Sequence, residues 1–368
     1  MHRDTRIVHA GYRKTAEPGP FLNGPQFSST FTSPGDPADH GLTYGRFHNP
    51  TWTAWEDALR VLEGGDVVAF ASGMAAVSAV FGVTLRPGDT LVLASDSYYT
   101  VRRIAAGWLE QMGVKVRLVP TRDNAQLGAL DGARLLWIET PTNPMLDVCD
   151  IRALADAAKR GGTLVAVDNT TATPYLQQPL ALGATFVVAS DTKAMSGHSD
   201  LILGHVGTAD ASLADALRLW RTQHGAIPGP MEVWLAHRSL PTLPLRLSRQ
   251  CATAEKLAAA LAARSDVAAV HYPGLPHHPG HDIAKVQMLR FGSIVSFDLT
   301  SRARAETFLA GLTLVREATS FGGVHSLAER RARWGGDAVG EGFIRFSVGC
   351  EAAEDIVADV EAALSKSG

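Results

Sequence analysis

Seven short apolar runs, at residues 67–71, 90–94, 114–119, 135–138, 163–167, 185–189 and 202–207, recur along the chain. Several are rich in β-branched residues and unbroken by polar ones, as strands buried on both faces are. Helical spacing at 102–112 and 151–160 fills connections between them. Parallel neighbours need long crossovers, so this alternation predicts an α/β fold with a mostly parallel, seven-stranded sheet. Open sheets of this kind bind ligands beyond the carboxyl ends of their strands, which directs attention to the residues that follow each run.

Two of those residues stand out. Lys193 follows the run 185–189 within Ser190-Asp191-Thr192-Lys193, and Asp168 follows the run 163–167 within Asp168-Asn169-Thr170. A lysine and a carboxylate on one rim suit pyridoxal phosphate, whose aldehyde takes a lysine amine and whose pyridine nitrogen needs a carboxylate to stay protonated. A structural salt bridge at a strand end is the alternative, and these two residues alone leave both open. After the run 67–71, Ser72-Gly73-Met74 leads into an Ala/Val-rich helix reaching about residue 85. Such a strand-to-helix turn points free N–H groups and a positive dipole end at an anion. The turn lacks the GxGxxG and GxxxxGK patterns, which favours a monophosphate over a nucleotide and weighs against a dinucleotide-dependent oxidoreductase. On its own, Ser-Gly is more often explained by a plain tight turn. Other polar loops on the same rim are Ser97-Tyr98-Tyr99-Thr100 and Glu139-Thr140-Pro141-Thr142-Asn143-Pro144.

The flanking segments divide the chain. Residues 1–48 are rich in Gly, Pro, Ser and Thr, and read as an extended arm; residues 49–230 form the α/β domain; residues 231–368 form a smaller C-terminal α+β domain. The last begins with one long helical pattern over 231–263 and has strand runs at 293–299 and 343–348, with helices at 303–312 and 353–364. Arg345 sits between two apolar neighbours in the last strand run, flanked at one remove by Phe343 and directly by Phe346. If buried it needs an anion, and a substrate carboxylate is the expected partner. His271 to His281 holds four histidines, but in a Pro/Gly-rich stretch without regular ligand spacing, so no metal site is expected.

Of the 368 residues, 46% are hydrophobic and 19% charged, with a net charge of -3, so neither nucleic acid nor an anionic membrane surface is an expected partner. The three cysteines, Cys149, Cys251 and Cys350, lie far apart, which argues against a disulfide framework. With no apolar leader or span in view, the expected setting is the cytoplasm.

Taken in order, Thr5-Arg6-Ile7-Val8-His9-Ala10-Gly11, YGR at 44–46, NPT at 49–51, LEGG at 62–65, SGMAA at 72–76, ETPTNP at 139–144, VDNT at 167–170, SDTK at 190–193, GHSD at 197–200 and RFSVGCE at 345–351 make a chain that resembles the Cys/Met-metabolism family of pyridoxal-phosphate enzymes nearly end to end. The resemblance implies the type I PLP-dependent transferase fold and a homotetramer of two tight dimers. It implies Lys193 as the lysine bonded to the cofactor and Asp168 as the partner of its pyridine nitrogen. It places the phosphate on Ser72, Gly73 and Met74, on Ser190 and Thr192, and on Tyr44 and Arg46 of a neighbouring subunit. Tyr99 becomes the stacking tyrosine that assists proton transfer, and Asn143, Ser320 and Arg345 lie near the cofactor's phenolic oxygen and the substrate carboxylate. The implied activity is cleavage of a carbon–sulfur bond of cystathionine or a related sulfur amino acid by γ-elimination, with β-elimination, γ-replacement and methionine cleavage as alternatives. The chain departs from the family pattern in three places. It has Thr100-Val101 after Tyr99, lacks the usual Met-Thr-His segment in 328–342, and has His325 where a glutamate is usual. His325 is expected near the substrate's far end, where a glutamate in its place would narrow the preference toward cystathionine.

Overall fold

The computed structural model describes residues 1–12 and 18–367. Helix α1 (Arg3–Val8) precedes α2 (Pro50–Glu63), and among the described residues between them lies a 3-10 turn at Pro37–Asp39. The Asn49 side chain caps α2 by accepting from the Thr51 N–H, proline opens it, and Gly64 closes it at φ +79°, a conformation glycine adopts without strain. Strand β1 (Asp66–Phe70) then enters α3 (Gly73–Thr84), whose first turn is capped by Ser72 accepting from the Ala75 N–H.

The alternation continues through β2 (Thr90–Ala94), α4 (Tyr99–Ile104), β3 (Lys115–Val119), β4 (Leu135–Glu139), α5 (Ile151–Arg160), β5 (Leu164–Asp168), the one-turn α6 (Thr173–Leu176), β6 (Phe186–Ala189), β7 (Gly204–Thr208) and α7 (Ala211–His224). The sheet order is β1-β7-β6-β5-β4-β2-β3. Strand β7 runs against the rest, pairing antiparallel with β6 and β1, while the other pairings are parallel. The carboxyl ends of β1, β2, β4, β5 and β6 therefore share one edge. Apolar layers cover both faces, one around Phe70, Phe81 and Trp137, the other around Ile138, Ile151 and Leu154.

Past α7 come α8 (Pro230–Ser239), α9 (Leu243–Ala262), β8 (Ala269–His271), α10 (His281–Gln287), β9 (Ile294–Asp298), α11 (Arg302–Gly311), β10 (Arg316–Glu317), β11 (Leu327–Arg330), β12 (Phe343–Ser347) and α12 (Ala353–Ser367). Their five strands form a second sheet, β10-β11-β12-β9-β8. It packs Phe297, Ile344 and Phe346 against Leu257, Phe308 and Ile356. Among the described residues no helix is long and apolar enough to cross a membrane.

Four expectations differ from the structure. The helical pattern over 231–263 is interrupted by a 3-10 turn at Leu240–Thr242, where Pro241 and Pro244 cannot donate the backbone bonds that a continuous helix needs. The helix expected at 102–112 begins earlier, at Tyr99, and passes into a π-turn at Ala105–Leu109. The strand expected from 202 starts at Gly204: Leu203 spends both backbone groups on the Thr192 hydroxyl, leaving Ile202 exposed. Finally, the first ten residues are not extended and do join the core. They include α1, and Ile7 and Ala10 are buried with Trp55 in the core.

Candidate active site

A cavity of about 360 Å³ opens where the edge of the seven-stranded sheet meets the second sheet. Ser72, Gly73 and Met74 reach it from the β1–α3 turn, Tyr98 and Tyr99 from the start of α4, Asn143 from the loop after β4, Asp168 from the end of β5, and Ser190, Thr192 and Lys193 from the loop after β6. Ser320 and Arg345 close it from the other side. The site residues singled out from sequence are thus brought together, except Tyr44 and Arg46. Those two do not line the cavity of their own chain. The Arg46 guanidinium donates to the Thr222 carbonyl at 2.8 Å and lies over the Tyr44 and Phe47 rings.

Lys193 brings an amine to the lining of this cavity. Its Nζ donates to Ser320 Oγ at 2.8 Å, and burial, helped by the nearby Arg345 charge, pulls its pKa down to about 8. Ser320 is held at φ +89°, an unusual conformation for a residue with a side chain. Asp168 is buried and accepts from the Thr170 N–H at 3.0 Å. Burial raises its pKa. Beside it in the sheet register stands Glu139, raised well above the ordinary carboxylate range by burial and then by Asp168. Glu139 accepts from the backbone N–H groups of Tyr98 (2.6 Å) and Asn143 (2.9 Å), so it ties two walls of the cavity together.

These residues fit pyridoxal phosphate. The β1–α3 turn is pressed against the lysine loop so closely that a Cβ on Gly73 would stand 2.8 Å from the Ser190 Cβ. Glycine there lets the helix start stand directly against the Ser190 hydroxyl; the Thr192 hydroxyl also lines the cavity but is bonded to both backbone groups of Leu203. The hydrogen bond that Asp168 accepts comes from a neutral backbone group, and a protonated ring nitrogen would supply a positive charge against it.

The opposite wall departs from expectation. Arg345 is buried, but an anionic partner is already present in the chain: Glu329, its cross-strand neighbour on β11, lies 2.5 Å from Arg345 Nη2. Arg345 also donates to Asn143 Oδ1 and to the Ser320 carbonyl, both at 2.8 Å. Three of its five N–H donors are spent in these bonds, and its Nε is buried with no partner among the described residues. Glu329 further accepts from Arg331 (2.8 Å), Arg333 (3.1 Å) and the Trp334 indole (2.7 Å). Burial alone would raise its pKa, yet Arg345, Trp334 and Arg331 together hold it below the usual value. Arg331 and Trp334 line the cavity. His325, expected at the substrate's far end, is exposed and does not.

Tyr98, Glu139, Glu329, Arg331 and Trp334 carry no role in the sequence reading. Tyr98 and Glu139 lie within polar loops that it singles out, but the half-buried setting of Tyr98, which raises the pKa of its hydroxyl, exists only once the start of α4 is folded over the cavity. The signal for Glu329 is Arg345 itself: a cation in an apolar strand calls for an acid on an adjacent strand.

A family model described as Cys/Met metabolism PLP-dependent enzyme matches residues 4–365. A Streptomyces coelicolor protein named "Putative cystathionine gamma-lyase" is 56% identical over 98% of this chain and 93% of its own length. A cystathionine gamma-synthase of Mycobacterium tuberculosis is 40% identical over 98% of this chain and 96% of its own. Among solved structures, metB from Corynebacterium glutamicum superposes with a TM-score of 0.96 at 38% identity, covering 99% of this chain and 98% of that one.

Proposed function

The chain belongs to the Cys/Met metabolism PLP-dependent enzymes, with the type I fold and the pyridoxal-phosphate chemistry of carbon–sulfur lyases and synthases, and from that premise we propose that it cleaves cystathionine or a related thioether amino acid by γ-elimination. The observation that carries this reading is Lys193, a half-buried amine with a pKa of about 8 that lines one cavity with Asp168 and Arg345. The 56% identity to the Streptomyces protein supports the γ-lyase assignment.

Pyridoxal phosphate, when bound, supplies a carbonyl for the substrate amine and a ring that draws electrons from Cα. Ser72, Gly73, Met74, Ser190 and Thr192 hold the phosphate end, and Asp168 keeps the ring nitrogen protonated. Lys193, near neutral pH a mixture of amine and ammonium, takes the Cα proton and then moves a proton from Cβ, the step γ-elimination needs and β-elimination omits, with the amine oriented by Ser320 Oγ. Arg345, with Asn143 beside it, takes the substrate carboxylate. Tyr99, packed against Gly336, stacks on the ring and assists the departing sulfur.

We further assign Tyr44 and Arg46 to the site of a neighbouring copy in a homotetramer. The support is that both lie outside their own cavity, on a stretch that also exposes Phe21 and Phe27. Mixing inactive Arg46→Ala and Lys193→Ala subunits restores activity on this reading, since one hybrid site carries neither lesion; verified hybrids that stay inactive would return Arg46 to its own chain. Three cysteines, all free, accord with a reducing cytoplasm.

The reaction is tested by the keto acid released from cystathionine. Release of 2-oxobutanoate with cysteine is expected. Pyruvate with homocysteine as the main products would replace γ-elimination by β-elimination, with the same residues holding the substrate.

A further inference from the structure

Within 328–342, where the sequence leaves the family pattern, the cavity has a short wall built around one indole. The 3-10 turn Arg331–Trp334 follows β11 directly and ends at Gly335, which takes φ +63°.

The wall is fixed from both sides. Trp334 Nε1 donates to the fully buried Glu329 at 2.7 Å, and the Arg333 guanidinium lies 5.2 Å from the centre of the ring. Beyond the turn, Gly336 presses on Tyr99 so tightly that a Cβ there would stand 2.8 Å from the ring. Asp337 takes two bonds from Arg331, at 3.0 and 2.6 Å, and lies 3.5 Å from Arg102 on α4. The indole is therefore held by its polar end while 47% of the residue stays exposed, at the lip of the cavity. An aromatic ring left open in this way but locked in orientation offers a flat apolar face at little entropic cost to a ligand. Glu329 joins this ring to Arg345, so the anchor for the substrate carboxylate and the indole share one carboxylate.

We propose that Trp334 reads the group on the far side of the substrate's sulfur, favouring thioethers with an extended or flat apolar substituent over free thiols. This rests on the reading of the cavity as a carbon–sulfur lyase site. A substrate held at Arg345 and Lys193 projects its side chain toward the lip, where a bare thiol ends short and a larger substituent covers the indole. Because Trp334 acts on the substituent and not on the reacting atoms, its loss changes preference between substrates.

The test compares S-benzylhomocysteine with homocysteine in the wild type, Trp334→Ala and Trp334→Phe, each loaded with pyridoxal phosphate. In Trp334→Ala the ratio of kcat/KM values, S-benzylhomocysteine over homocysteine, falls about tenfold, chiefly through KM, and Trp334→Phe recovers most of it. Calorimetric affinities for the same pair, measured in a Lys193→Ala background where nothing turns over, shift by the same ratio. An unchanged ratio overturns the proposal, whether both substrates suffer equally, as a purely structural role through Glu329 requires, or neither does. If the wild type releases no keto acid from either compound, the lyase reading fails, and the affinity ratio still decides the role of Trp334.

Discussion

On the side of the seven-stranded sheet, Glu139 and Asp168 enter the cavity with neutral backbone donors against them, and burial pushes both carboxyl groups up. On the side of the five-stranded sheet, Arg345 and Arg331 enter it already matched to Glu329 and Asp337. One wall is short of positive charge and the other is balanced. On the proposed reading each meets a different partner: the first a cation, which a protonated pyridine nitrogen would supply, the second a carboxylate that adds to an existing arrangement. Lys193 stands between them, its ammonium disfavoured by burial and by Arg345.

The shortage on the first wall stops at the cavity. One layer behind the lysine loop, His205 on β7 bridges Asp191 Oδ1 at 2.8 Å and Glu63 Oε1 at 2.9 Å, all three side chains fully buried. Burial works against the imidazolium, but Asp191 and Glu63 outweigh it and raise its pKa to about 10. Replacing His205 by leucine leaves two buried carboxylates unpaired and carries the shortage into the core. A loss of about 3–5 kcal/mol in urea unfolding at pH 7 is expected. The pH dependence has a definite sign. A histidine raised from 6.5 to about 10 on folding stabilises fully below pH 6.5 and loses that contribution as pH rises through about 10. The gap between wild type and His205→Leu should therefore narrow toward pH 10. A constant gap would show that His205 is neutral in the fold.

On the second wall, Arg345→Lys separates charge from geometry. Lysine keeps the charge beside Glu329 but loses the fork that serves Asn143, Ser320 and a carboxylate together. A fall in kcat/KM on the order of a hundredfold, mostly in KM, is expected, with folding retained. A change confined to kcat would mean that Arg345 acts on the chemistry and not on carboxylate binding.

The two walls also differ in how far the sequence makes them legible. Lys193, Asp168 and Gly73 follow strand-like runs directly, so a local pattern locates them at the sheet edge and residue chemistry does the rest. Glu329 lies in a four-residue strand reading Leu-Ala-Glu-Arg, without the apolar run that marks the others, and its meaning depends on a register that pairs it with Arg345 sixteen residues on. Likewise, the run Arg331 to Trp334 has the composition of a solvated turn, and only Asp337 and Glu329, brought close by the fold, bury the Arg331 charge. Pattern recovers a site whose residues end regular strands; it misses one assembled by cross-strand partners.

The smallest expected effect belongs to His325. Its position in the sequence, just past the Ser320-Phe321-Gly322-Gly323 loop, points to the substrate's far end, and a glutamate there would be expected to narrow the enzyme toward cystathionine. In the fold the next residue, Ser326, turns inward to bond Glu351 through both its N–H and its hydroxyl, which leaves the His325 side chain on the outside of the wall, away from the cavity. Surface substitutions away from specific contacts typically change stability by less than about 0.5 kcal/mol, and the hydrogen bonds of Arg345 and Trp334 run to Glu329 on the inner side. His325→Glu should therefore leave both KM for cystathionine and the preference between thioether substrates within about twofold of the wild type. A clear narrowing toward cystathionine would mean that the far end of the substrate leaves the cavity past His325 and not past Trp334, and would move the reading of the distal group from one side of β11 to the other.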